Sequence, residues 1–183
     1  LLRLRDLCDG KYEIESHMML DVSVQRDGRV IYSNLALNEA LIARGNISRV
    51  IRLQIFTEQG KLVDVAGDGV IVASPTGSTA YSLSAGGPVV APTCACLVIS
   101  PLAPHNLTMR PVVIPDTAVI TLHVHTRRSD AFVTLDNRVY AVGQEATFTV
   151  KRAEQKIFLA VPHNISFYDT LRNKMMWGID IRS

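Results

Sequence analysis

The chain has 183 residues, a hydrophobic fraction of 48%, a charged fraction of 20% and a formal net charge of +2. That suits one ordinary globular domain burying about 70% of its unfolded surface. The charge is too small to argue for a nucleic-acid or membrane partner, and no apolar run approaches the ~20 residues of a spanning helix. Cys8, Cys94 and Cys96, in a sequence whose opening does not read as a signal peptide, are expected to be reduced, buried thiols of a cytoplasmic protein. Cys94 and Cys96 would share one strand face, where disulfide geometry is rare. Further Cys or His at ligand spacing is missing, so no metal site is expected.

The opening Leu1-Leu2-Arg3-Leu4-Arg5-Asp6-Leu7 has helical spacing and stops before Asp9-Gly10. It reads as the tail of an upstream helix in residues 1–10, so the chain is expected to be a fragment whose domain is 11–183. Residues 12–25 alternate as a strand, Asp27-Gly28 is a hairpin turn, and 29–42 return as its partner. Residues 50–57 and 61–66 read as a second hairpin. After a central run at 67–88 come a short strand at 97–100 and a Pro-punctuated loop at 101–115. Strands follow at 118–126, at 131–135 and 139–142 around Asp136-Asn137, and at 146–151 and 156–161, with a closing helix at 167–174. Many short strands with regular turns predict a mainly β, β-sandwich-like domain with one short inserted helix and a short C-terminal helix.

The central run, Gly67-Asp68-Gly69 through Gly86-Gly87-Pro88, reads as a turn, a buried strand over 70–73, a polar loop, one short helix and a stop. Pro75 ends the strand, Gly77 gives a flexible corner, and Ser78 or Thr79 suits an N-cap. No carboxylate in that first turn answers the helix dipole or its open N–H groups. A loop of hydroxyls, open amides and Tyr81 can hold a polar ligand, although shape alone favours a self-capped corner.

This run closely resembles the signature of the NAD kinase family, which carries Gly-Asp-Gly, a strand, Pro-Thr-Gly-Ser-Thr-Ala-Tyr-Ser and Gly-Gly-Pro. Asn38-Glu39 within Leu37-Asn38-Glu39-Ala40 resembles the family's Asn-Glu motif, and Pro104-His105-Asn106-Leu107-Thr108-Met109-Arg110-Pro111 resembles its Pro-His-x-Leu-x-x-Arg-Pro segment. The likeness extends over nearly the whole chain from about Tyr12. It implies the C-terminal domain of a kinase that phosphorylates the 2′-hydroxyl of the adenosine ribose of NAD with ATP, giving NADP. Such chemistry needs a base, a divalent metal such as Mg on the donor phosphates, and a rigidly placed acceptor. The family's base is an aspartate of a Gly-Gly-Asp-Gly motif in a preceding nucleotide-binding domain. That motif is not in this chain, so no catalytic or metal residue is assigned here, and the fragment alone is expected to be inactive.

The resemblance also assigns the dinucleotide-binding residues. Asn38 and Glu39 would contact ribose; as neighbours on a strand they would face opposite ways and could serve one ligand only at an irregular place or strand end. Asp68 heads the central run and resembles a substrate-binding position, its alternative being a plain turn aspartate. Thr79, Ala80, Tyr81, Ser82, Leu83 and Ser84 match the dinucleotide segment, Leu83 through its backbone, and Thr76 adds a hydroxyl. Arg49, Ala66 and Ala103 are placed in the pocket by spacing from these motifs. Members are commonly homo-oligomers with pockets at subunit contacts, so a dimer or tetramer is expected. Where many members have Asp-Gly-Gln, this chain has Asp136-Asn137-Arg138; Asn tolerates the left-handed turn shape, while Arg138 brings a charge where an amide is usual. His123 and His125 share a strand face without a third metal ligand, and Gly-x-Ser-x-Gly is missing, so a serine hydrolase is not expected. Two other readings are a non-catalytic dinucleotide-binding module and the equivalent domain of a related lipid kinase. Asn38-Glu39 and the full central run favour the nicotinamide branch over the second.

Overall fold

The computed structural model describes residues 2–45, 50–126, 131–143, 145–163 and 165–176. They form two compact units, one within 18–156 and a smaller one made of residues 2–17 with the described residues beyond 156.

The larger unit is built on antiparallel strands: β1 (Tyr12–Arg26), β2 (Arg29–Ala36), β3 (Glu39–Arg44), β4 (Ile51–Thr57), β5 (Gly60–Gly67), β6 (Gly69–Ala73), β7 (Cys96–Leu102), β8 (Val112–Pro115), β9 (Ile120–His125), β10 (Ala131–Leu135), β11 (Arg138–Gly143) and β12 (Glu145–Pro162). β1 and β12 continue into the smaller unit. The strands make two six-stranded sheets, ordered β2-β1-β12-β9-β4-β5 and β11-β10-β3-β6-β7-β8. Alternation places Ile51, Leu53 and Ile55 of β4 inward, as a strand with one covered face requires. One continuous core joins such residues from both sheets, among them Leu20, Val22, Ile42, Val70, Val72, Leu122 and Phe148. The expected β-sandwich-like architecture is therefore present.

β6 is buried at every position. Val70 and Val72 face the sandwich core, while Ile71 and Ala73 turn the other way and pack with Val98, Leu41, Ala85 and Val90. This outer cluster seats the rest of the central run: a 3-10 turn at Thr76–Thr79 and the one-turn helix α2 at Tyr81–Ser84, α1 being Leu2–Cys8.

Four sequence expectations change. Residues 29–42 are not one strand, because the chain leaves the first sheet after Ala36 and enters the second at Glu39. The expected loop at 101–115 contains the end of β7 and all of β8. Pro101 is tolerated because β8 pairs only with Cys96 to Ile99 of β7, so the missing N–H falls where β7 has a neighbour on one side only. The two strands expected at 146–151 and 156–161 are one, since no Gly, Pro, Asn or Asp interrupts the polar stretch between them. Cys8 and Cys94 are exposed and Cys96 is half-buried, all free, because Cys94 lies ahead of its strand and Cys8 ends α1.

The smaller unit carries α1 and α3 (Phe167–Met175). A capping box opens α3: Asp169 N–H donates to Ser166 Oγ at 3.1 Å and Ser166 N–H donates to Asp169 Oδ2 at 2.9 Å.

Candidate functional site

The site is built where β2 passes into β3. There Leu37 and Asn38 leave the β ladder, and their N–H groups need other acceptors. The Asp136 carboxylate, at the tip of the β10–β11 hairpin, supplies them. It accepts from Leu37 N–H at 3.0 Å, Asn38 N–H at 2.8 Å and Glu39 N–H at 3.2 Å. Asp136 N–H in turn donates to the Glu39 carbonyl at 3.1 Å. The opposite side is held by Ser74, whose N–H donates to the Asn38 carbonyl at 2.9 Å and whose Oγ donates to the Leu37 carbonyl at 2.6 Å. Asn38 and Glu39 thus sit at an irregular place, the one situation in which adjacent strand residues can serve one ligand.

Asp136 adopts the left-handed conformation, with φ of 53°, which Asp tolerates. The sequence had placed that shape on Asn137. Arg138 is spent on structure: its guanidinium donates to the Leu35 carbonyl and to Asn34 Oδ1, and lies 3.8 Å from the Asp136 carboxylate.

The loop after β6 closes over this crossover. Gly77 N–H donates to Ser74 Oγ at 3.1 Å. A Cβ on Gly77 would lie 1.9 Å from the Asn38 carbonyl oxygen, so only glycine fits. Ser78 Oγ accepts from Val90 N–H at 2.9 Å, and Ser82 Oγ meets Ser100 Oγ at 2.9 Å in the interior. These buried serines pin the loop and α2 to the sheet. Neither Ser78 nor Thr79 caps α2; its N-cap is Ala80, with no side-chain bond. The carboxylate missing from the first turn comes instead from β3, because Tyr81 N–H donates to Glu39.

Glu39 is 9% exposed, and its Oε2 has no hydrogen-bond partner. Burial, with the Asp136 charge close by, pushes its carboxyl up to about 7, against the opposing effect of the Tyr81 N–H. A buried carboxyl oxygen without a partner calls for an explanation, and a polar ligand is one that fits.

Of the residues singled out in the sequence, Asn38, Glu39, Tyr81 and the loop Thr76–Thr79 are brought to this crossover. Tyr81, Thr79 and Ser84 are exposed; Thr76, Ala80 and Leu83 are half-buried; Ser82 is fully buried. Asp68, Ala66 and Ala103 form a separate group. Asp68 accepts from Arg44 N–H at 3.0 Å through its carbonyl and pairs with the Arg44 guanidinium at 2.9 Å. His105 N–H donates to the Ala66 carbonyl at 2.8 Å, and exposed Ala103 has a φ of 43°. Since Glu39 pairs with Ala73 and Ala43 with Gly69, Asp68 and Glu39 lie at opposite ends of one strand pair, roughly 17 Å apart at about 3.4 Å per residue. Arg49 lies outside the described residues. Asp136 and Ser74 went unassigned in the sequence; an Asp-Asn turn and a strand-ending Ser carry no local mark of a partner some 100 positions away in the first case.

His123 Nδ1 bonds Thr147 Oγ1 at 3.0 Å, and His125 lies 3.8 Å from Glu145, both beside a recess of about 180 Å³ remote in sequence and strand position from the crossover. Among the described residues no group of three or more His, Cys, Asp or Glu is placed to hold a metal, and no helix is long and apolar enough to cross a membrane.

Residues 37–162 match the family model of the ATP-NAD kinase C-terminal domain. The chain belongs to that family. It is 39% identical over 170 residues to the NAD kinase of Geotalea daltonii, covering 92% of this chain and 60% of the relative. To the NAD kinase of Cupriavidus pinatubonensis it is 40% identical over 175 residues, covering 95% and 57%. The chain therefore spans about 60% of the length of these relatives. In fold it is similar to yeast NADH kinase complexed with NADH, with a TM-score of 0.87 at 21% identity, covering 98% of this chain and 55% of that one. An NAD kinase from Archaeoglobus fulgidus in complex with ATP gives 0.72 at 24% identity, covering 88% and 60%. The resemblance read from the sequence motifs is borne out.

Proposed function

We propose that the full-length protein is an NAD kinase that transfers a phosphoryl group from ATP to the 2′-hydroxyl of the adenosine ribose of NAD, giving NADP, and that this chain binds and orients the dinucleotide. The observation that carries this reading is the buried Glu39 carboxyl, with Oε2 unpartnered, next to Asn38. A carboxylate accepts and a carboxamide both donates and accepts, so the pair suits two neighbouring ribose hydroxyls. Tyr81 offers its ring to a base. Thr76, Thr79 and Ser84 add hydroxyls, Ala80 and Leu83 add backbone groups, and Ser82 contributes by fixing the helix. With a rigid acceptor, positioning supplies much of the rate. A divalent metal such as Mg would neutralise charge on the donor phosphates. Among the described residues no group of three or more His, Cys, Asp or Glu is gathered for it, and that metal and the base are assigned to the rest of the protein. Asp68, Ala66 and Ala103, at the far end of the β3–β6 pair and roughly 17 Å along the strands from Glu39, serve the dinucleotide of a neighbouring copy in a cytoplasmic homo-oligomer.

Calorimetric titration of the full-length protein with NAD, NADP and ATP tests the reading. Replacing both Asn38 and Glu39 with Ala is expected to weaken NAD binding at least about tenfold, the worth of one lost hydrogen bond to a charged group. NAD binding unchanged in that double variant would defeat the proposal. The isolated chain is expected to show no turnover with ATP and NAD; turnover would place the base within it.

A further inference from the structure

The sequence pattern accounts for Asn38 and Glu39 but not for what holds them. Each backbone N–H and C=O from Leu37 to Glu39 has a partner, and all of these come from Asp136 or Ser74. Three N–H groups converge on one carboxylate from a hairpin nearly 100 residues away, which is an unusual use of a turn aspartate. A second acid this close to Glu39 adds charge repulsion to the burial that already disfavours the ionised Glu39 carboxyl.

Resting on the dinucleotide site described above, we propose that Asp136 is its positioning residue: the carboxylate fixes the β2–β3 crossover so that Asn38 and Glu39 address one ligand, and its charge, second to burial, bears on how readily Glu39 accepts from that ligand. Among the described residues, three elements bring groups to Glu39. Asp136 comes from the β10–β11 hairpin, with Arg138 behind it at 3.8 Å. The Tyr81 N–H comes from α2, and β6 opposes Glu39 with Ala73. Burial first, and the Asp136 charge second, hold the carboxyl up at about 7, so near neutral pH it is divided between its two forms. Ribose hydroxyls donating to Oε2 select the ionised form, so affinity rises as pH passes upward through about 7, and binding below that pH releases a proton.

The test combines two measurements on the full-length protein: titration of the Glu39 carboxyl by carbon-13 NMR without ligand, and NAD affinity at about pH 5.5 and about pH 8, either side of the Glu39 midpoint. Asp136→Asn should move the Glu39 midpoint down and weaken NAD binding at pH 8 about tenfold. Asp136→Glu, which keeps the charge but displaces it by a methylene, should hold the midpoint up and bind with intermediate affinity. Asn38→Ala should weaken binding without moving the midpoint. An unmoved midpoint or undiminished affinity in Asp136→Asn overturns the proposal; if that variant does not fold, wild-type affinity in Asp136→Glu does so. If Asn38→Ala and Glu39→Gln both bind NAD as the wild type does, the dinucleotide reading has failed instead, and the NMR titration still decides whether Asp136 governs Glu39.

Discussion

Gly77 has no room for a side chain, because a methyl group there would meet the Asn38 carbonyl oxygen at 1.9 Å. The neighbour is backbone held by Ser74 and cannot step aside. Gly77→Ala is expected to cost about 1–3 kcal/mol by overpacking and to displace Asn38, lowering NAD affinity; urea denaturation and calorimetry check the two effects. Glu39 poses the converse case, a buried acid whose ionised form is held against stability. Its folded carboxyl is pushed up to about 7, while the unfolded value is about 4.3. Between those values the folded state holds a proton that the unfolded state has released, so stability falls as pH rises from about 4.3 to about 7 and is level above. Glu39→Gln removes the ionisation. It is expected to raise stability at about pH 8 by up to about 3 kcal/mol and to change little near pH 4, measured by urea denaturation at both.

At the scale of elements, α2 has four residues, too few to stand by its own hydrogen bonds. Its place depends on the outer cluster around Ile71, Ala73 and Val98, and on the buried contact between Ser82 and Ser100 at 2.9 Å. Either Ser82→Ala or Ser100→Ala strands one buried hydroxyl, at a cost of about 1–3 kcal/mol. The double variant strands none, so it is expected to be no less stable than either single one, giving a clear coupling in a double-mutant cycle. The same bond explains why the segment 79–84, read from the sequence as a row of contacts, divides into exposed Tyr81 and Ser84 and a buried anchor between them.

At the scale of the whole molecule, the crossover group and the Asp68 group stand at opposite ends of the β3–β6 pair. If each completes the other's site across a subunit contact, a mixed oligomer of Glu39→Gln and Asp68→Asn subunits should recover some turnover that neither variant shows alone. Turnover assays on co-expressed, separately tagged subunits measure this. No recovery, with each single variant inactive, would put both groups to work on the same copy.

The sequence by itself determined the class of fold, through alternation in the β strands and turn residues between them, and it marked the central run and Asn38-Glu39. Those signals are local: a period of two, a turn dipeptide, a helix stop. The tertiary structure alone decided the crossing of residues 37–38 between sheets, since an unpaired N–H is satisfied by whatever carboxylate the fold brings near. It likewise made Asp136 and Ser74 part of the site, turned Ser82 inward, and delivered to α2 a carboxylate that its own first turn lacks. Hydrogen bonds between residues distant in the chain leave no periodic trace, so they appear only when both sheets are in place.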